Sequence, residues 1–255
     1  MIFRRILEHV RTQNWIAVGI DFVIVVVGVF IGIQLGNWNE ERAGQTRAVG
    51  YLERLAADLD LTTESFENNR IFREQVRDQG ERALSFYEDR GSASDWQVIS
   101  AFMEASHSIG VRSVRATYEE LTSTGDVALL EDSELMRELG VYYGEIKIND
   151  LISEFPAYRR TVRGIIPVAL QRYHTEHCYE TSVRQAQLFK ECPAPTGLGI
   201  ETGPVVASLL SNEELRNELR YWVATGDIVV GILYREAARS QALTDRVRAS
   251  VEASR

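Results

Sequence analysis

The chain has 255 residues, 45% of them hydrophobic and 25% charged, with a formal net charge of −9, the mix of an ordinary folded protein. Residues 1–15 carry +2 (Arg4, Arg5 and Arg11 against Glu8) and Asp21 adds −1, so the remainder carries −10. So acidic a remainder is excluded as a nucleic-acid binder, which must neutralise phosphates, and as a body drawn to an anionic membrane surface.

The first predicted element is an apolar run. Ile16 to Leu35 is 20 residues with one charge, Asp21. As a helix it measures about 30 Å, the hydrocarbon thickness of a bilayer. Trp15 and Trp38 bracket it, as interfacial aromatics do. It is longer than the apolar region of a cleaved signal peptide, and Gly36-Asn-Trp-Asn-Glu-Glu-Arg42 offers no convincing cleavage site. The expectation is an uncleaved transmembrane helix over 16–36, between a short cytoplasmic N-terminus (1–15) and an extracytoplasmic helical domain (37–255). Three Arg before the run, against Arg42 and Arg47 after it, put the N-terminus inside. In a host with two membranes this is the inner membrane, with the domain in the periplasm. Gly28, Gly32 and Gly36 recur every fourth residue, and Asp21 and Val25 join them within about 80° of the helix circumference. One face is thus small and acidic, the form of a helix-packing surface. The alternative is an Asp21 that stays wetted near Trp15, with glycines of the kind common in lone transmembrane helices.

Beyond the run, proline is scarce, with five in the whole chain, and enough residues remain for one sizeable core or two small ones. Val49, Leu52, Leu55, Leu59, Phe66, Val76, Ala83 and Leu84 recur mostly at helical spacings, giving a helix from Gln45 to about Tyr87. Either it continues from the apolar run and couples membrane and domain mechanically, or Gly44 and Gly50 interrupt it. Gly80 is a further candidate break. Gly91-Ser-Ala-Ser-Asp95 reads as a loop, with Ser94 or Asp95 capping a helix to about Ser106. A polar break over 108–113 precedes a short helix, Ala116–Ser123, ended by Gly125. Leu129–Leu139 then matches Leu209–Leu219 at an offset of 80, through Leu129/Leu209, Leu130/Leu210, Glu134/Glu214, Leu135/Leu215, Glu138/Glu218 and Leu139/Leu219. Asp132 and Asn212 are N-cap types, and Ser211 with Glu214 has capping-box spacing. Either two related helical units are present, or two capped amphipathic helices share a grammar. Both readings give long helices near 132–154 and 212–239. Pro156 and Pro167 interrupt a helical stretch over 157–189, and Glu191–Pro204 is the longest loop. The expected fold class is all-α: one transmembrane helix followed by a helical bundle.

Gly19-Ile-Asp21, the apolar run and Ile33-Gln-Leu-Gly-Asn-Trp-Asn-Glu-Glu-Arg42 resemble the opening of an uncharacterised family of bacterial single-pass membrane proteins, a domain of unknown function. In that family a Gly-acid pair precedes the apolar run, and an Asn-Trp-Asn-Glu segment followed by basic residues closes it. Thr117-Tyr-Glu-Glu-Leu-Thr-Ser-Thr-Gly125, Leu129-Leu130, Glu134-Leu135 and Tyr142-Tyr143 resemble a second stretch of the same family. Asp21 stands where the family usually has Glu, and Gly36 where Asn is common. The resemblance implies a membrane anchor, a helical domain and a bacterial host. It implies no activity.

Chemical motifs are few. Cys178 and Cys192 are the two cysteines, 14 positions apart. Outside the cytoplasm they are a disulfide candidate, worth about 3 kcal/mol; the alternative is two separate buried thiols. His174-Thr-Glu-His177-Cys178 places two His at i and i+3, with Glu176 or Cys178 to complete a metal site, but it lacks the zincin spacing, and a disulfide would remove Cys178 as a ligand. No metal and no cofactor is expected. Gly-x-Ser-x-Gly, Gly-x-Gly-x-x-Gly and Walker sequences do not occur. Asp58/Asp60 and Glu40/Glu41 read as solvated acids. Arg112, Arg115, Arg159, Arg160 and Arg163 either line an anion surface or simply balance an acidic domain. Tyr142, Tyr143, Tyr221 and Trp222 read as core, the alternative being a ligand box. The expected function is a non-enzymatic, membrane-tethered interaction or assembly module, meeting the lipid bilayer and either itself or a membrane protein, and no nucleic acid. The alternative is a periplasmic domain that senses a small molecule and signals through a membrane partner.

Overall fold

The computed structural model describes residues 15–108, 110–130, 132–145, 156–182, 187–191 and 193–254. It is all-α: a long helix that opens apolar, followed by a helical region with, among the described residues, one antiparallel pair of short strands. Two compact units are present, one up to Gly50 and one from Tyr51 to Ala253. α1, Trp15–Ser85, is a single helix of 71 residues that contributes to both. Gly44, Gly50 and Gly80 all lie within it. An interior glycine costs only about 1 kcal/mol relative to alanine, too little to end a helix whose flanks are strongly periodic.

In the first unit, the large apolar side chains from Ile20 to Leu35 are 48–69% exposed, on every side of the helix. A Cβ built at Gly28, Gly32 or Gly36 meets nothing within 4 Å, so the small face is open. The Arg42 guanidinium lies 4.8 Å over the Trp38 ring.

The second unit adds, in chain order, α2 (Asp95–Ala105), α3 (Ala116–Thr124), a 3-10 turn (Asp126–Leu129), α4 (Ser133–Glu145), α5 (Ala157–Ile165), α6 (Val168–His177), β1 (Tyr179–Thr181), β2 (Gln187–Phe189), α7 (Thr202–Leu210) and α8 (Glu213–Ala253). Its frame is the second part of α1 packed antiparallel to α8. Ser240 Oγ donates to the Leu59 carbonyl at 3.1 Å, Phe66 shares a cluster with Val229 and Leu233, and Arg77 pairs with Asp227. At Gly80 the two helices approach so closely that a Cβ would lie 2.5 Å from Val223 Cγ2. The glycine that reads as a helix breaker is therefore a packing position.

Local signals place most helix ends. Ser94 accepts from Gln97 N while the Gln97 side chain accepts from Ser94 N, a complete capping box on α2. Gly125 closes α3 at φ 79, a left-handed position suited to glycine. Asp132 Oδ1 accepts from Leu135 N and Asn212 Oδ1 from Leu215 N. Asn212, not Ser211, caps α8, because Ser211 closes α7. Leu135, Leu139, Leu215 and Leu219 are all fully buried, so the matched segments bury the same positions. The part of the 132–154 reading past residue 145 lies outside the described residues.

Three segments differ from expectation. The stretch over 157–189 is split at Pro167 and its helix ends at His177; β1 and β2 follow, paired antiparallel with Tyr179 opposite Phe189. Thr202–Leu210, read partly as loop, is helical, with Pro204 in the first turn where its missing N–H is harmless. α8 runs past 239 because Leu243, Val247 and Val251 continue its buried stripe at four-residue spacing.

Candidate functional site

Gln97, Ser100, Ala101 and Glu104 follow one another at i, i+3, i+4 and i+7, forming one face of α2. Gln79 and Arg82 of α1 and the residues Phe189, Lys190, Glu191 and Pro193 stand around that face. Together with Trp96 they line a cavity of about 680 Å³, within the size range of small-molecule sites.

Behind the cavity wall is a buried pair. Glu104 Oε1 lies 3.3 Å from Nε2 of His174, whose side chain is fully buried. A carboxylate that is ionised only accepts, and in that state Nε2 is the donor of the pair. Glu104 reaches the cavity and His174 does not. His107 joins the same layer, stacked on Tyr179 at 4.9 Å, edge-on to Phe189, and 5.9 Å from the His174 ring. Among the described residues its Nε2 has no hydrogen-bond partner.

Cations surround the layer. Arg159 and Arg163, i and i+4 on α5, both reach the C-terminal end of α2. Arg159 Nη1 donates to the Ser106 carbonyl at 2.6 Å, and Arg163 Nε donates to Ser106 Oγ at 3.0 Å. Guanidinium groups there complement the negative end of the helix dipole. Arg73 donates to Ser108 Oγ and lies over the Trp222 ring. Burial pushes Arg73 and Arg163 down to about 10 and lowers Arg159 as well. Burial first, then the nearby Arg163, His174 and Arg159, push His107 down to about 2.

That shift has a sign. Below pH ~6.5 an unfolded His107 binds a proton that the folded one refuses, so stability falls as the pH drops, and above pH ~6.5 the group contributes nothing. Between pH 7 and pH 5 the wild type is expected to lose about 2 kcal/mol more than a His107→Phe variant. Denaturant unfolding at the two pH values measures the difference, and equal losses in both proteins would show that His107 titrates normally.

The residues singled out by sequence are scattered differently. His174 belongs to the buried layer, but His177 is exposed, stacked on Tyr173 at 4.2 Å with Nδ1 3.0 Å from the Tyr173 carbonyl oxygen. The i, i+3 histidines therefore diverge, and among the described residues no group of three or more His, Cys, Asp and Glu could hold a metal ion. Cys178 is buried and disulfide-bonded; Cys192 lies outside the described residues. Asp21, Gly28, Gly32, Gly36 and Trp38 belong to the first unit; of Trp15 only its place at the start of α1 is described. Arg115 donates to the Tyr143 carbonyl, whereas Arg159 and Arg163 bond Ser106. Asp58, read as solvated, accepts from Thr117 N and so caps α3 from α1, and Asp60 pairs with Arg248. Tyr142 and Tyr143 are core, Tyr221 is 76% exposed, and Trp222 Nε1 donates to the Ala105 carbonyl. Sequence reasoning missed Glu104 and His107. The available signal was an acid inside an otherwise apolar helical stretch, followed three residues later by a histidine. No family model, no curated protein and no solved structure matches the chain.

Proposed function

We propose that this chain is a membrane-anchored helical domain of the bacterial inner membrane, with its N-terminus inside and its folded domain in the periplasm, acting as an interaction or assembly module without catalytic activity. The observation that carries the anchor is the uncovered apolar surface from Ile20 to Leu35. Soluble proteins rarely expose so large a contiguous apolar surface, and a helix satisfies its backbone internally, as hydrocarbon requires. Among the described residues one helix is long and apolar enough to cross a membrane. Trp38 with Arg42 over its ring suits the headgroup region. The open face of Gly28, Gly32 and Gly36, with Asp21 on the same side, supports assembly through the anchor. The resemblance to the bacterial single-pass family supports the host.

Purification from native membranes in mild detergent, with mass determination, tests this. The wild type is expected as a defined complex, with itself or with a membrane protein. Gly32→Leu and Asp21→Leu are expected to stay in the membrane fraction but lose the complex. A monomeric wild type removes assembly, and release of the wild type by alkaline carbonate removes the anchor. The polar cavity favours a second reading, a sensing domain that binds a small molecule and signals through a membrane partner.

A further inference from the structure

We propose that the cavity between α1, α2 and the segment after β2 binds a small zwitterion, an α-amino acid, with the ammonium against Glu104, Gln79 and Ser100 and the carboxylate toward Arg82 and Lys190. This rests on the sensing reading and names its ligand class. Two observations carry it.

The first is a set of acceptors awaiting donors. Gln79 Oε1 and Ser100 Oγ are buried atoms that have no hydrogen-bond partner among the described residues, and both residues line the cavity. Glu104, 8% exposed, lines the same space, and one oxygen of its carboxylate, Oε1, is 3.3 Å from His174 Nε2, while the other has no hydrogen-bond partner among the described residues to compete for it. Buried polar atoms are rarely left unsatisfied, and an ammonium group supplies three donors.

The second is the charge of the lining. Arg82 and Lys190 contribute +2, Glu104 and Glu191 contribute −2, and the sum is zero. A bare anion would meet the acceptor oxygens of Glu104 and Gln79, and a bare amine would sit beside two cations. A molecule with separated opposite charges meets both ends. Arg82, exposed at the rim, has its guanidinium carbon 5.8 Å from the Phe86 ring centroid, and a guanidinium is suited to pair with a carboxylate. Trp96, Ala101, Phe189 and Pro193 supply an apolar wall for a side chain.

The test is thermal unfolding of the full chain in mild detergent against the common α-amino acids at about 1 mM. For the best of them, the matching amine without the carboxylate and the matching acid without the amine are run alongside. At least one amino acid is expected to raise Tm by about 5 °C when present at a hundred times its Kd, and both truncated analogues less. The exposed rim variant Arg82→Gln/Lys190→Gln is expected to weaken binding about tenfold, and Ser100→Leu, which fills the cavity, to abolish it. An unchanged shift in both variants overturns the site. A shift produced only by another chemical class, and lost in Ser100→Leu, overturns the amino-acid assignment and leaves sensing standing. No shift with any compound overturns both.

Discussion

Replacing Glu104 by alanine is expected to destabilise the unit from Tyr51 to Ala253 by about 3 kcal/mol. Glu104 and His174 are partners at the inner wall of the cavity: the His174 side chain is fully buried and that of Glu104 is 10% exposed. Removing the acceptor leaves the Nε2 hydrogen unpaired, and Nδ1 already lacks a partner among the described residues. Two further variants separate the pair from the volume of the side chain. Glu104→Gln keeps an acceptor oxygen and is expected to recover most of the loss. The double variant Glu104→Leu/His174→Phe removes both polar groups and fills the space, so it is expected to be close to the wild type. Urea unfolding followed by tryptophan fluorescence reads all three. If Glu104→Ala unfolds at the wild-type midpoint, the buried pair is not formed.

A loss of about 3–5 kcal/mol is expected for Phe102→Ala. Phe102 is fully buried in the main core cluster, where α2, α5, α6 and α7 meet the facing ends of α1 and α8. Its ring meets that of Tyr87 edge-on at 5.7 Å, and its carbonyl accepts from Tyr158 Oη at 2.9 Å. Alanine keeps the backbone acceptor and deletes the ring, so the loss measures transfer and cavity alone. Scaled to a unit of this size it lowers Tm by about 10 °C. Phe102→Leu fills most of the void and is expected to lose less than half as much. A loss below about 1 kcal/mol for the alanine variant would mean that α2 does not pack in this core.

By itself, the sequence determined what depends on a few neighbouring residues. Helical periodicity from Leu52 to Ala83 and the apolar run from Ile16 to Leu35 announced α1. Ser94 with Gln97, Asp132, Asn212, Gly125 and Pro167 marked helix ends that the structure shares. Each signal acts within about one turn, where backbone N–H groups, left-handed φ or a missing proton decide the outcome.

Only the tertiary structure decided the rest, because the physics joins residues far apart in the chain. Gly80 is neutral evidence until Val223, 143 positions later, shows that nothing larger fits. Asp58 looks like a solvated acid until α3 brings Thr117 N to its oxygen. The short strand pair depends on setting Tyr179 opposite Phe189 beside Phe72 and His107. Arg159 and Arg163 acquire a role only when the carbonyl end of α2 arrives beside them. Glu104 and His174 are 70 positions apart, and a buried polar pair leaves no local mark in the sequence. Burial strengthens their interaction and penalises either partner alone, and which side chains become buried is settled by how the helices pack.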